Sequence, residues 1–172
     1  GGLGTKTYHY EDAVSYSALT GYSIDGVRKT RYAYQADGKA AWSGREGAVE
    51  RDSFAYGAAH TDVTNALGHT SRYNFVTIDG IKRLASVERP ASTACPAGTA
   101  ITDYDTRGYP SRNVDFEGHQ TFLTYSDRGE LQELRRGVGP APGNSTASQQ
   151  RTTFTWDTAR DLLLQESHYG NG

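Results

Sequence analysis

The sequence predicts an all-β fold built from successive antiparallel β-hairpins. A pair of large, mostly aromatic residues two positions apart returns along the chain, and this spacing matches the side-chain period of a β-strand. A glycine follows several of these pairs four residues on, as at positions 34–38, 104–108 and 125–129. Because a strand followed by a turn returns at a similar interval, the chain is expected to be a repeat protein.

The final bulky residue of each copy, which we call the anchor, gives the length of the repeat. Successive anchors are 24, 22, 19, 29, 21 and 31 residues apart, and the two widest intervals contain Pro-, Ala-, Gly- and Ser-rich insertions near 89–99 and 137–150. Without the insertions the repeat is about 21 residues, which fits a two-stranded hairpin with its turns and is too short for a strand-helix-strand unit. The seven anchors are Tyr10, Tyr34, Tyr56, Phe75, Tyr104, Tyr125 and Trp156.

The organisation expected from this spacing is one repeat region over residues 1–172. Residues 1–30 form a less regular first segment, and residues 31–172 carry the hairpin repeats with their two insertions. The chain starts with Gly-Gly-Leu-Gly and stops at Gly-Asn-Gly, both within the pattern, so we expect it to be a piece of a longer protein.

Turn residues mark the hairpins in chain order. Asp25-Gly26 between short strands is a strong two-residue hairpin signal, and Asp37-Gly38 and Asp79-Gly80 give the same signal. In the clearest unit, 101–137, turns are expected at 105–108, 117–119 and 127–129, with strands between them. The turn glycines of the repeat are Gly38, Gly68, Gly80, Gly108, Gly118 and Gly129.

The best helical candidate is 157–165, which contains three consecutive leucines. Consecutive leucines do not make a helical stripe. We therefore predict a turn over 157–161 followed by a strand.

Composition supports a β fold and excludes several classes of protein. The chain has 12 tyrosines, 20 glycines, no methionine and 35% hydrophobic residues, a composition that suits half-buried strands and tight turns. The net charge of −2 argues against a nucleic-acid surface. Its single cysteine, Cys95, excludes an internal disulfide. No apolar run reaches the length of a membrane span, and no secretion leader is visible.

Together these motifs resemble the YD-repeat, or Rhs-repeat, family. The segment 104–108 reads Tyr-Asp-Thr-Arg-Gly, which is the family's Tyr-Asp-x-x-Gly signature. The segments 125–129 and 34–38 keep the tyrosine and the glycine but replace the aspartate, whereas 156–160 keeps the aspartate and lacks the glycine. The resemblance extends over about 7–170, and seven anchors make it far more specific than a single unit would.

The resemblance implies a structural role. Repeats of this family form a ribbon of hairpins that spirals into a hollow shell, commonly around a polymorphic toxin domain of a bacterial secreted or cell-surface protein. It implies that this chain is a wall segment with no catalytic residues and no cofactor. The implied partners are the remaining repeats of the shell and an enclosed effector domain. Because each hairpin has one apolar stripe and open edges, we also expect the isolated chain to be marginally stable or to self-associate.

Polar clusters offer alternative, chemical interpretations. His69 and His119 occupy equivalent repeat positions, but no metal-binding spacing accompanies them, so we expect solvent-facing turn residues and no metal site. The carboxylate pairs 103/105 and 115/117 share a strand face without distinct environments for an acid and a nucleophile. The glycine-rich stretch 43–47 lacks a phosphate-loop ending and is expected to be a turn.

The aromatic stripe leaves a second function open. Bulky rings on successive strands could bind carbohydrate by stacking, in a surface adhesion module that uses the repeat sheet as its platform. That alternative requires exposed aromatic residues, whereas the shell interpretation requires them to face a stacked apolar surface. Cys95 is expected to be an unreactive loop residue.

Overall fold

The protein is all-β, as the repeat predicted. The computed structural model describes residues 4–93, 96–138 and 149–170, and within these ranges the chain forms fourteen strands and one short 3-10 helix. Strands that are neighbours in sequence are neighbours in the sheet, and they pair antiparallel. The chain divides into two compact units, 1–73 and 74–172, which we describe in turn.

The first unit contains six strands, the 3-10 helix Glu46–Ala48 between the fourth and fifth of them, and the beginning of a seventh strand. The strands are β1 Lys6–His9, β2 Gly21–Ile24, β3 Val27–Tyr34, β4 Ala40–Arg45, β5 Asp52–Tyr56, β6 His60–Thr64 and β7 Thr70–Ile78. The glycine-rich stretch 43–47, expected to be a turn, instead provides the end of β4 and the start of the 3-10 helix.

The second unit contains the end of β7 and seven further strands. They are β8 Ile81–Arg89, β9 Gly98–Tyr104, β10 Pro110–Val114, β11 Gln120–Tyr125, β12 Leu131–Val138, β13 Gln150–Asp157 and β14 Leu162–Gly170. The two insertions connect β8 to β9 and β12 to β13. Residues 94–95, which include Cys95, and 139–148 lie outside the described residues.

Five hairpins share one loop geometry, in which the glycine is the fourth residue. In the loop 105–109, the amide of Gly108 donates to the carbonyl of Asp105 at 2.9 Å, and the amide of Asp105 donates to the carbonyl of Tyr109 at 2.8 Å. This is a type I turn followed by a left-handed glycine bulge. The five loops begin at Gln35, Asn65, Asp105, Asp115 and Ser126, and their glycines have φ between 81° and 87°.

Two other hairpins have the shorter, two-residue turn. Both central residues have positive φ, at 50° and 79° in Asp25-Gly26 and at 49° and 76° in Asp79-Gly80, as a type I′ turn requires. Asp37-Gly38 carries the same sequence signal but lies inside a longer loop. There the amide of Gln35 donates to the carbonyl of Lys39, which adds a residue to the connection.

The last hairpin confirms the turn and strand predicted for the leucine-rich segment. Asp157 accepts the amides of Arg160 and Asp161 on its carbonyl, and β14 begins at the next residue. Asp161 has φ of 55° and so provides the left-handed residue for which the other loops use glycine. Aspartate tolerates this conformation better than most side chains.

Burial in the described part of the chain is shallow. No hydrophobic side chain there is fully buried, and the buried polar residues are Thr20 and Ser23. The main contacts of the strands are with their sequence neighbours. Adjacent hairpins therefore cover the side chains only in part, and the sheet contributes backbone pairing without a closed hydrophobic core. Among the described residues, no helix has the length and apolar character needed to cross a membrane.

We predict that Gly108→Ala destabilises the second unit more than Gly80→Ala does. Both substitutions place a Cβ on a residue with positive φ, at a cost of about 1–2 kcal/mol. A Cβ at Gly80 meets open space, whereas a Cβ at Gly108 would lie 2.7 Å from the Arg83 guanidinium. The midpoints of urea unfolding of the two variants measure the difference. Equal midpoints would show that Arg83 moves away without cost.

Candidate functional site

In each unit, anchors lie beside hairpin loops. We call this set of anchors and loop residues the anchor edge. Three of the five repeated loops follow strands that end in an anchor, namely Tyr34, Tyr104 and Tyr125. The other two follow strands that end at Thr64 and Val114. The contacts below give its geometry within each unit.

In four of the five repeated loops, the side chain of the first residue closes the loop by accepting two backbone amides. Asp105 Oδ1 accepts the backbone amides of Arg107 and Tyr109, both at 2.9 Å. Asp115 does the same with the amides two and four residues on, at 3.0 and 2.9 Å, and so does Asn65, at 3.0 Å for both. In the loop 126–130, Ser126 Oγ takes the same position at 3.2 Å.

These hydrogen bonds also set the ionisation of the loop carboxylates. Partial burial alone would raise the pKa of Asp105, but the amides of Tyr109 and Arg107 and the Arg107 guanidinium outweigh it, so the pKa lies below its ordinary value. Burial and the amide and imidazole of His119 act in the same way on the pKa of Asp115, again with a net decrease. Asp105 is half-buried and Asp115 is exposed, and both carboxylates are charged at neutral pH.

Three anchors share a further contact, a hydrogen bond to the backbone of a preceding segment. Tyr34 Oη donates to the carbonyl of Leu19 at 2.7 Å, and Tyr104 Oη donates to that of Leu84 at 2.7 Å. Trp156 Nε1 donates to the carbonyl of Leu131 at 2.8 Å. Leu84 and Leu131 belong to the strands that precede β9 and β13, and Leu19 lies in the connection between β1 and β2. Each of these anchors therefore joins its own strand to a preceding segment.

Tyr125 is held by a ring contact instead. Its ring stacks on Tyr109 with centroids 5.0 Å apart and planes inclined by 29°. Burial raises the pKa of the Tyr125 hydroxyl above its ordinary value, and the negative Asp105 and the nearby Tyr109 add to the increase. The Tyr109 hydroxyl lies too close to Gly129 to leave space for a Cβ there, so this glycine makes room for the stacked pair.

The remaining anchors are covered less. The Lys82 ammonium lies 5.7 Å from the ring centroid of Phe75. Lys39 lies 5.5 Å from the ring of Tyr56, which is 38% exposed. Tyr10 is 57% exposed and follows the end of β1. The anchors therefore range from half-buried rings with a backbone hydrogen bond to open rings.

Arginines connect successive loops of the second unit. Arg107 Nη1 donates to the carbonyl of Ser126 at 2.7 Å, which links the β9–β10 loop to the β11–β12 loop. Arg128 makes the next link, to the Thr158 carbonyl and the Asp161 carboxylate of the β13–β14 loop. Both arginines are the third residue of their loops, a shared position that is visible in the sequence and that our sequence analysis did not use.

The histidines and carboxylates that the sequence offered as possible chemical sites lie in loops and on paired strands. His119 Nδ1 lies 3.0 Å from Asp115 Oδ2, and Glu117 joins them in an exposed group whose ligand atoms lie within 4.8 Å of one another. His119 and Asp115 both belong to the loop 115–119, and their contact lies within that loop. Asp103 pairs with Arg112 at 2.6 Å across β9 and β10. His69 follows the equivalent turn glycine, and its amide is bound by Asn65.

Two of the clefts in the second unit lie next to anchors or candidate polar groups. One, of about 500 Å³, lies over β8 to β12, and its walls include Leu84, Ile101, Val114, Asn113 and Thr121. The other, of about 720 Å³, lies between the last two loops of the anchor edge. Its walls carry aromatic and polar side chains together: Tyr125, Phe154, Trp156, Arg128, Glu130 and Gln132. Glu130 Oε1 is buried there without a hydrogen-bond partner, whereas its Oε2 accepts from Ser126 Oγ at 2.8 Å.

Comparison of the sequence with protein-family models and with curated proteins finds no match.

We predict that Tyr104→Phe lowers the free energy of unfolding of the second unit by about 0.5–1.5 kcal/mol, the usual net value of one hydrogen bond. The substitution keeps the ring and removes the donor to the Leu84 carbonyl. Tyr169→Phe, at an exposed ring of the same unit, is the matched control and should leave stability unchanged. Urea unfolding checks both variants. An equal change in the two would contradict a structural role for the Tyr104 hydroxyl.

We predict that Asp105→Asn keeps the loop closed and reduces the acid sensitivity of the protein. Because folding lowers the pKa of Asp105, its contribution to stability is present above the unfolded pKa and is lost as the pH falls through the folded pKa. An asparagine can accept the same two amides, as Asn65 does. Midpoints of urea unfolding, measured between about pH 6 and pH 2, give the slope of stability against pH.

The control for this pH series is Asp127→Asn, which removes the carboxylate of the second residue of the loop 126–130. The unfolding midpoint of this variant should change with pH more nearly as it does in the wild type. A wild-type slope in Asp105→Asn would contradict the assignment of the shifted carboxylate.

Proposed function

We propose that this chain is a wall segment of a YD-repeat shell that encloses or presents a toxin or other effector domain. In this proposal the chain contributes structure and no catalytic group. Its partners are the neighbouring repeats of the same shell and the effector inside it. The observation that carries the proposal is the repeated hairpin with its anchor hydrogen-bonded to the preceding segment, as in Tyr34, Tyr104 and Trp156.

The way in which the hairpins are joined supports a role as a continuous wall. Tyr104 and Trp156 bridge to the strand before them, and Tyr34 bridges to the connection that leads into β2. Arg107 and Arg128 each bridge to a following loop. A series of such bridges extends with each added repeat, because a unit contacts its neighbours and needs no distant part of the chain. This design suits a long sheet better than it suits a compact binding domain.

Shallow burial supports a partner that covers the sheet. The described residues contain no fully buried hydrophobic side chain, yet several rings of the anchor edge are half-buried. Apolar surface of this extent is stabilised when another layer of protein removes it from water. We propose that further repeats or the enclosed effector provide this layer, in a bacterial protein that acts outside the cell or at its surface.

A second candidate is a carbohydrate-binding surface module. It is favoured by the cleft between the last two loops, where Tyr125, Phe154 and Trp156 stand beside Arg128 and Gln132. Flat rings next to planar polar groups can stack on a sugar and bind its hydroxyls. Under this proposal the rings remain open to solvent in the complete protein.

We predict that Tyr104→Ser together with Tyr125→Ser makes the complete protein sensitive to limited proteolysis. The double variant removes a backbone hydrogen bond and a ring stack from the wall. Tyr16→Ser, at an exposed ring, is the control and should keep the resistance of the wild type. Unchanged resistance in the double variant would overturn the wall proposal. Glycan-array binding that disappears in Trp156→Ala would favour the second candidate instead.

A further inference from the structure

The cleft between the last two loops of the anchor edge contains a carboxylate oxygen that has no donor. Glu130 lies in its wall together with the rings of Tyr125, Phe154 and Trp156. No described residue donates to the buried Glu130 Oε1, whereas Oε2 accepts from Ser126 Oγ at 2.8 Å. A buried acceptor left without a donor is destabilising. Because the last torsion of a glutamate side chain is soft, Oε1 can turn toward a donor that enters the cleft.

The charges around this cleft favour a positively charged ligand. Its walls carry the carboxylates of Asp127 and Glu130 and the guanidinium of Arg128. Arg128 is already engaged, since it donates to the Thr158 carbonyl and to the Asp161 carboxylate. Asp161 therefore balances the charge of Arg128. Within the described part of the chain, neither Asp127 nor Glu130 forms an ion pair of its own.

The aromatic wall of the cleft lacks a contact that other anchors have. Lys39 lies 5.5 Å from the ring centroid of Tyr56. The Arg83 guanidinium lies 5.7 Å from the ring centroid of Tyr104. Among the described residues, no cation takes this place over Trp156, although tryptophan is the side chain whose ring attracts cations most strongly. The cleft thus provides a ring and a carboxylate, and a ligand would bring the charge.

The hydrogen bonding of Glu130 selects among organic cations. A guanidinium binds a carboxylate best through both oxygens at once, but Oε2 is already bound to Ser126. A quaternary ammonium has no N–H and would leave Oε1 without a donor. A primary ammonium donates through single N–H groups, and its methylene stem can lie along apolar rings.

We propose that this cleft binds a primary alkylammonium group, which donates an N–H to Glu130 Oε1 and places its charge and methylenes against Trp156 and Phe154. The lysine side chain of another protein and a free small amine share this chemistry. The inference rests on the cleft alone and does not depend on the wall proposal. It assigns the cleft to a cation in place of the neutral sugar of the second candidate function.

NMR titration of the full, nitrogen-15-labelled chain with n-butylammonium tests the site. The chain has two tryptophans, so the indole N–H signal of Trp156 reports on the cleft and that of Trp42, in the first unit, is an internal reference. We expect a saturable shift of the Trp156 signal and none of the Trp42 signal. n-Butyltrimethylammonium has the same stem and charge without an N–H, and it should bind more weakly by about tenfold or more.

Substitution of the carboxylate tests the role of Glu130 directly. Glu130→Gln keeps the shape of the side chain and removes its charge, so it should weaken the binding of n-butylammonium by about tenfold or more. Glu117→Gln, at an exposed loop carboxylate of the same unit, is the matched control and should leave the affinity unchanged. Wild-type affinity in Glu130→Gln would overturn the proposal, as would equal affinities of the unmodified chain for the two butyl cations.

Two further probes separate the sources of the ligand and the two uses of the cleft. Tighter binding of Nα-acetyl-lysine N-methylamide than of n-butylammonium would indicate a protein lysine, and equal or weaker binding a free amine; both results support the ammonium site. Tighter binding of methyl glucoside than of either amine would overturn it and favour the carbohydrate module. The wall proposal is tested separately, by proteolysis of the Tyr104 and Tyr125 variants.

Discussion

The left-handed residue in the repeated hairpin loops is the constraint on which the rest of this structure depends. In the loop 105–109, Gly108 allows the chain to reverse with one extra residue while the strands on both sides remain paired. A one-residue change in this connection would move every side chain of the following strand to the other face. The anchors could then no longer meet the backbone that they bind.

The anchors convert this local geometry into contact between hairpins. Tyr104 and Trp156 each extend from a strand end to a carbonyl of the strand before it. Both donors belong to the aromatic side chain itself, so the hydrogen bond also fixes the ring. Tyr125 achieves a similar position by stacking on Tyr109. Regular loops and directional hydrogen bonds thus order the sheet without fully buried hydrophobic side chains among the described residues.

This form of stabilisation leaves surface that a complete assembly has to cover. Half-buried rings and an exposed β14 contribute little hydrophobic stabilisation until another layer or strand removes them from water. The wall proposal is a consequence of this property, because further repeats or an enclosed effector would supply the covering layer.

The sequence by itself determined the class of fold and most of the turns. Period-two aromatic residues favour strands, and Asp79-Gly80 favours a two-residue turn because both residues tolerate positive φ. These are local properties, so they can be predicted from neighbouring residues. The anchor positions Tyr34, Tyr104 and Trp156 were also visible, since a bulky residue at a strand end repeats at a recognisable interval.

Only the tertiary structure decided what each anchor contacts. The acceptors Leu19, Leu84 and Leu131 precede their donors by different distances along the chain, so no fixed spacing predicts them. The same holds for the link from Arg128 to Asp161, which depends on where two loops come to lie. Turns follow from local backbone preferences, whereas bridges between hairpins depend on the register of every strand between them.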